Sequence, residues 1–175
     1  MFKRLLVPAL AILLVIPGVS LAKDMSGLWG LGFYSYSAPV GARVWIAPNI
    51  GLDAGIGLDI YDIAGEDGQE SATDFYFEVG VPFVLVPTER VNFYLRPGVQ
   101  VALLDSLGNP FVKNRIAIML APGVEYFLTD QLSIEASHGL AYEIESAREE
   151  GVDDQTFFYT FGENFTFLGF HFYFR

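Results

Sequence analysis

The sequence has no cysteine and only three lysines among its 175 residues. Without disulfides the fold must be stabilised by packing and hydrogen bonds, for which a closed and fully paired sheet would suffice. No run after residue 22 resembles the stretch of roughly 20 apolar residues that a membrane-spanning helix needs. Eighteen glycines and nine prolines also disfavour long helices, although 52% of the residues are hydrophobic and 15% are aromatic. The chain is therefore apolar without being a helical membrane protein.

Residues 1–22 have the features of a secretory signal peptide. Lys3 and Arg4 precede an apolar run over 5–16, and Ser20-Leu21-Ala22 forms a small-x-small cleavage site. The run is too short for a membrane anchor, so we expect a cleaved signal at 1–22 and a single domain at 23–175. Losing the two basic residues leaves eight basic and 21 acidic ones, and the net charge changes from −11 to −13. Because nucleic-acid binding needs basic patches, no nucleic-acid partner is expected.

Residues 50–62, IGLDAGIGLDIYD, alternate strictly between an apolar face and a face of glycine, aspartate and tyrosine. This period of two predicts a β-strand with one apolar side. Seven other stretches show the same period: 29–34, 40–46, 75–85, 91–103, 116–126, 132–144 and 156–174. In the last stretch the apolar face moves from odd to even positions, which predicts a bulge near Leu168-Gly169. Most of the eight strands are long enough to cross a bilayer when tilted.

The connections between these strands alternate in length. APN (47–49), VPTER (86–90) and LTDQ (128–131) are short turns, whereas 66–74, 105–114 and 148–155 are longer loops. An even number of strands with short turns at one end is typical of outer-membrane barrels. We therefore expect an all-β fold, an eight-stranded antiparallel up-and-down transmembrane β-barrel of the bacterial outer membrane. Both termini would be periplasmic, and the four loops would face outward.

A lipocalin-like soluble barrel would share the alternation but would turn its apolar face inward. Here the polar face is rich in glycine, and the predicted mature chain has only Lys23 and Lys113 as lysines. Such a face suits a crowded barrel interior better than a solvated surface. The apolar face carries aromatic residues near strand ends, as the interfacial girdles of membrane barrels do: Trp29, Phe75, Phe93, Tyr126, Tyr142 and Phe174. These features favour lipid outside the barrel.

Charged residues of the polar face predict an ionic network inside the barrel. By alternation the inward set is Arg43, Asp53, Asp59, Glu78, Arg96, Glu125, Glu135 and Glu143. Pairing strands five and six symmetrically about Asn109-Pro110 would set Pro97 opposite Pro122 and Arg96 among Glu78, Glu125 and Glu135. Arg43 and Asp53 would form a second, smaller pair. An interior filled in this way would conduct poorly.

Two segments resemble the OmpA-like and OmpX-like family of small outer-membrane barrels. APGVEYFLTDQLSIEAS (121–137) is similar to the sixth strand, turn and seventh strand of that family. Gly169, Phe172 and Phe174 resemble its C-terminal assembly signal, with departures at Phe167 and at Arg175. The resemblance implies insertion by the outer-membrane assembly machinery with periplasmic chaperones, into a membrane of lipid and lipopolysaccharide.

The expected function is a monomeric barrel with a structural or surface-interaction role. A narrow, porin-like channel and an OmpW-like carrier of small hydrophobic solutes remain alternatives. A lipid A-modifying enzyme, like the PagL-like deacylases or PagP-like acyltransferases, is a further alternative that needs a serine activated by a histidine. Ser137 and His138 are adjacent in a strand and so point to opposite faces, and His171 points inward. No enzyme activity is expected, because no serine and histidine are placed to act together. No cofactor or metal is expected either, and the acidic loops lack the spacing of a calcium loop.

Overall fold

The computed structural model describes residues 23–65, 68–160 and 166–174. The predicted signal peptide at 1–22 lies outside the described residues. Eleven strand segments are present among the described residues: β1 (Trp29–Phe33), β2 (Val40–Ala47), β3 (Ile50–Gly65), β4 (Gly68–Gly80), β5 (Phe83–Pro87), β6 (Val91–Leu103), β7 (Val112–Phe127), β8 (Leu132–His138), β9 (Leu140–Ala147), β10 (Gln155–Tyr159) and β11 (Thr166–Phe174).

These segments form a closed, eight-stranded antiparallel β-barrel, which confirms the all-β fold and the number of strands that the sequence predicts. β4 with β5 and β8 with β9 each act as one barrel strand with an interruption, and β10 and β11 together line the edges of β9 and β8 as the last barrel strand. The barrel closes where β1 pairs antiparallel with β11, with Trp29 opposite Phe174. Among the described residues there is no helix, and hence none long and apolar enough to span a membrane.

Alternation separates the two faces of the sheet, as the sequence predicts. In β2 the burial alternates residue by residue, with Arg43 and Trp45 buried and Val44 and Ile46 exposed. The same holds for β7, where Ala117 and Met119 point inward while Ile118 points outward. Polar and small side chains, together with several buried aromatic ones, therefore fill the interior, and exposed large apolar side chains cover the outside.

The barrel wall has unequal height. The β1–β2 hairpin is short, and its pairing with β3 ends where Val40 meets Ile56. Beyond that point β3 pairs only with β4, up to Gly65 opposite Gly68. The expected long loop at 66–74 is therefore wrong, because 68–74 extends the β3–β4 hairpin above the rest of the barrel.

Two finer predictions of register are also wrong. Leu95 faces Pro122 and Pro97 faces Leu120, so the prolines are offset by two residues instead of opposing each other. No bulge occurs at Leu168-Gly169, because β11 pairs with β8 without a shift over the whole of that stretch. The outward positions are the same in both described parts of the strand, because Phe158, Phe170 and Phe172 are all exposed, whereas Tyr159 packs inside the barrel against buried Ala117, Met119 and Ala141.

Candidate functional site: the buried ionic layer

A layer of charged side chains crosses the middle of the barrel. Six of the eight predicted interior residues meet there: Arg43 from β2, Asp53 from β3, Glu78 from β4, Arg96 from β6, Glu125 from β7 and Glu135 from β8. All six are buried. Each occupies an inward position of its strand, so closure of the sheet brings residues that are far apart in sequence into one layer.

Arg43 joins three carboxylates on neighbouring parts of the wall. Its Nη2 donates to Asp53 Oδ2 at 2.9 Å, and its Nη1 donates to Glu135 Oε2 at 2.8 Å. Glu125 Oε1 lies 3.8 Å from Nη1. The planar guanidinium has donors on several sides, so one arginine can hold several carboxylates at once.

Arg96 holds the other side of the same aspartate. Its Nη2 donates to Asp53 Oδ1 at 2.7 Å, and its Nη1 lies 2.7 Å from Glu78 Oε1. To reach Asp53 on β3, the side chain passes over β4 at Gly80. A Cβ added to Gly80 would collide with the Arg96 guanidinium and displace it from the carboxylates that it binds.

The predicted partners of the two arginines require correction. The expected pairs Arg43–Asp53 and Arg96–Glu78 are present. The sequence predicts Glu125 and Glu135 beside Arg96, but the structure places both with Arg43. The reason is the register of β6 and β7, which sets Arg96 opposite Ala121 and moves Glu125 towards the turns.

Two of the predicted interior residues lie outside this layer. Asp59 is exposed, because β3 has no neighbour beyond Ile56 on the side of the short β1–β2 hairpin. Glu143 is buried, but it lies opposite Phe157 and Ala117, nearer the loops. Its neighbour Arg115 pairs with Glu145 at 2.7 Å.

The ionic layer is covered on both sides. Towards the turns lies a hydrophobic cluster of buried residues: Met25, Leu28, Trp45, Val84, Tyr94, Phe127 and Tyr173. Towards the loops, residues 34–39 fold into the barrel, and Tyr34, Ser35 and Ala38 are buried. Ser35 Oγ donates to Glu78 Oε2 at 3.0 Å and accepts from the Ala38 amide at 2.9 Å. The interior is thus filled by side chains and by one inward loop.

The sequence reasoning did not place His171, Ser133 or Tyr173 in the layer. Ser133 Oγ and Tyr173 Oη both donate to Glu125 Oε1, at 2.6 and 2.8 Å. His171 Nδ1 lies 3.9 Å from Glu125 Oε1 and 3.8 Å from Glu135 Oε2. Alternation along the strands predicts that these side chains point inward. Only the pairing of β11 with β1 and β8 brings them beside these carboxylates.

The two histidines occupy different environments. His138 is exposed, and its Nε2 lies 3.2 Å from the Thr160 carbonyl oxygen. Its neighbour Ser137 is buried, so the two side chains lie on opposite faces as predicted. His171 is buried, with its ring edge-on to Tyr34 at 4.9 Å between ring centres.

The C-terminal segment pairs along the seam of the barrel. Gly169 lies opposite Glu135, and Phe172 points outward. The Phe174 ring stacks on Trp29 with ring centres 4.6 Å apart.

Comparisons of the chain with protein-family models, with curated proteins and with solved structures found no match.

Proposed function

We propose that this protein is an outer-membrane β-barrel of the OmpA-like and OmpX-like kind, monomeric, with a filled interior and a structural or surface-interaction role. Its partners would be outer-membrane lipid, lipopolysaccharide and, during biogenesis, the assembly machinery and periplasmic chaperones. The observation that carries the proposal is the apolar outer surface of a closed barrel.

The outer surface carries large apolar side chains on every part of the barrel wall. Examples are Leu31, Val44, Leu52, Phe77, Phe93, Ile118, Ile134, Leu140 and Phe170, all exposed. Soluble monomers rarely expose contiguous apolar patches larger than a few hundred Å². A closed sheet leaves no unpaired backbone groups in the spanning region, which is what a lipid environment demands of strands. This outer surface is therefore suited to contact with lipid acyl chains.

The contents of the barrel favour a structural role over a channel. Arg43 and Arg96 bind carboxylates from four other strands and so cross the lumen. A barrel of eight strands is only wide enough for its side chains to fill it. The hydrophobic cluster on one side and residues 34–39 on the other occupy the lumen among the described residues, and this supports a filled barrel over an aqueous channel.

The two tryptophans provide a direct test of lipid contact. Trp29 is 47% exposed on the outer face, whereas Trp45 is 1% exposed inside the barrel. Single-tryptophan variants, Trp45→Phe and Trp29→Phe, would be refolded into vesicles containing phospholipids brominated on their acyl chains. We expect strong quenching of Trp29 fluorescence and little quenching of Trp45.

Trp29 begins β1 at the end of the barrel that carries the short turns. Bromines near the lipid headgroup should therefore quench it more than bromines near the end of the acyl chain. Equal quenching of the two tryptophans would contradict the proposal, as would failure of the refolded protein to associate with vesicles. A soluble barrel with the same fold would show that behaviour.

Conductance tests the filled interior separately. In planar bilayers the refolded protein should show no steady openings. Steady openings at neutral pH would favour the alternative of a narrow channel, even if the tryptophan experiment succeeds.

Orientation and assembly need cell-based measurements. In intact cells, protease should cut the loop around Gly151 and spare the turn around Glu89, both of which are exposed in the structure. The reverse pattern would overturn the proposed periplasmic termini.

Phe174→Ala should slow assembly if Gly169, Phe172 and Phe174 form the assembly signal, and unchanged kinetics would argue against that role.

A further inference from the structure

Three side chains converge beside Arg43 in the ionic layer: Glu125 from β7, Glu135 from β8 and His171 from β11. They are buried, and one candidate ligand atom from each lies within 4.8 Å of the others. We propose that these three residues bind one divalent transition-metal ion of the zinc class. The proposal goes beyond the structural role of the barrel, and it concerns the interior only.

Unpartnered polar atoms provide the first argument. Neither ring nitrogen of His171 has a hydrogen-bond partner, and the same is true of Glu125 Oε2. Buried polar atoms are almost always hydrogen-bonded, so orphaned atoms indicate a bound ion or water. His171 has no exposed surface, and its Nδ1 faces both carboxylates. A metal ion between His171 Nδ1 and the Glu125 carboxylate would give a partner to both of these groups.

Charge provides the second argument. The buried layer contains four carboxylates, from Asp53, Glu78, Glu125 and Glu135, against the two guanidiniums of Arg43 and Arg96. With all of them ionised, the layer has two uncompensated negative charges. Isolated charges are costly to bury unless they are paired or coordinate a metal. One divalent cation would cancel this excess.

The excess is concentrated where the site is proposed. Glu125 and Glu135 stand directly opposite each other in the β7–β8 pairing. Like charges opposed across two strands are destabilising. Arg43 Nη1 lies 2.8 Å from Glu135 Oε2 and 3.8 Å from Glu125 Oε1, but the same guanidinium also binds Asp53. A second cation between Glu125 and Glu135 would remove the repulsion.

The ligand set and its supports suit zinc. Zinc accepts histidine nitrogen and carboxylate oxygen at about 2.0–2.2 Å, so ligand atoms around a tetrahedral ion lie about 3.4 Å apart. The His171 Nδ1 distances to the two carboxylates, 3.9 and 3.8 Å, exceed this spacing by about half an ångström. Ser133 and Tyr173 both donate to Oε1 of Glu125, the oxygen that lies 3.9 Å from His171 Nδ1, and so fix the carboxylate while its Oε2 has no partner. Hydrogen bonds that orient a ligand in this way are common around metal sites.

The test measures metal binding and uses the second histidine as its control. Wild-type protein, His171→Ala and His138→Ala would be refolded in detergent without metal and dialysed with Zn²⁺ against a chelator of known affinity. Bound metal would be measured by mass spectrometry, and folding by the heat-dependent shift in gel mobility. We expect one Zn²⁺ per chain in wild-type protein and in His138→Ala, and affinity at least about tenfold lower in His171→Ala.

Co²⁺ provides a second readout. In the wild-type protein it should give the visible absorption of a low-symmetry, four-coordinate ion, and this absorption should be lost in His171→Ala. If His171→Ala fails to refold, Glu125→Gln makes the same comparison, because the amide keeps the shape of the carboxylate but not its charge. The proposal would be overturned if folded wild-type protein bound no metal, or if His171→Ala bound it as tightly as His138→Ala. The unpartnered atoms would then be assigned to water.

Discussion

Arg96 and Asp53 form an ion pair although their strands are not neighbours. Arg96 Nη2 lies 2.7 Å from Asp53 Oδ1, across the strand β4 that separates β6 from β3. Both side chains are buried. This pair therefore ties together three strands of the wall, and its contribution to stability can be measured.

Replacing Arg96 by alanine should lower the free energy of unfolding by roughly 3–5 kcal/mol, because Asp53 and Glu78 would lose a buried counter-charge. The measurement is urea unfolding of the refolded barrel in lipid vesicles. Arg90→Ala is the control, since Arg90 is exposed in a turn and should change stability by less than about 0.5 kcal/mol. A loss well under about 1 kcal/mol for Arg96→Ala would mean that water solvates the arginine.

Gly80→Ala should destabilise the barrel by about 1–3 kcal/mol, because the new methyl group would collide with the Arg96 guanidinium. The double variant Gly80→Ala/Arg96→Ala separates this collision from any other effect of the substitution. If the collision is the cause, the alanine should cost much less once Arg96 has been removed. Additive losses in the same unfolding assay would locate the cost of the alanine elsewhere.

The barrel was predictable from the sequence because alternation decides which face each residue joins. The pattern of 50–62 sets Asp53 inside and Leu52 outside, and the structure shows both. The register between neighbouring strands was harder to predict from the sequence, because it depends on the conformation of the loop that joins them. The offset of two residues between Pro97 and Pro122 is such a case, and it also moved Glu125 away from Arg96.

Contacts across the lumen could not be derived from neighbouring strands alone. Arg96 and Asp53 have a strand between them, so only the curvature of the closed sheet brings them together. Asp59 shows the opposite case. It has the parity of an interior residue, but the short β1–β2 hairpin leaves its part of β3 without a second neighbour.

The inward loop predicts a contrast between two serines that donate to carboxylates. Ser35 is buried and donates to Glu78 at 3.0 Å, whereas Ser71 is exposed and donates to Asp62 at 2.8 Å. Ser35→Ala should cost about 1–3 kcal/mol, since it removes a buried hydrogen bond to a charged group. Ser71→Ala should cost less than about 0.5 kcal/mol. Equal effects in the unfolding assay would indicate that water reaches residues 34–39.

The last prediction concerns acid and the loop between β6 and β7. The amides of Leu107 and Thr73 donate to the Asp105 carboxylate at 2.9 and 3.2 Å. These hydrogen bonds favour the charged form and lower the pKa of Asp105 below its ordinary value. The folded-state pKa is thus the lower one, so the carboxylate stabilises the loop above the unfolded pKa of about 3.9. This stabilisation is lost as the pH falls through the folded value.

Nuclear magnetic resonance can follow this loss residue by residue. The amide shifts of Leu107 and Thr73 should titrate together, with a midpoint below about 3.9. In Asp105→Asn the titration should disappear from both amides, because no ionisable group remains to accept their hydrogen bonds. The Val91 amide is a control, since it donates to the Thr88 hydroxyl, which does not titrate. A midpoint at or above 3.9 in the wild-type protein would show that the two amides do not hold the carboxylate in solution.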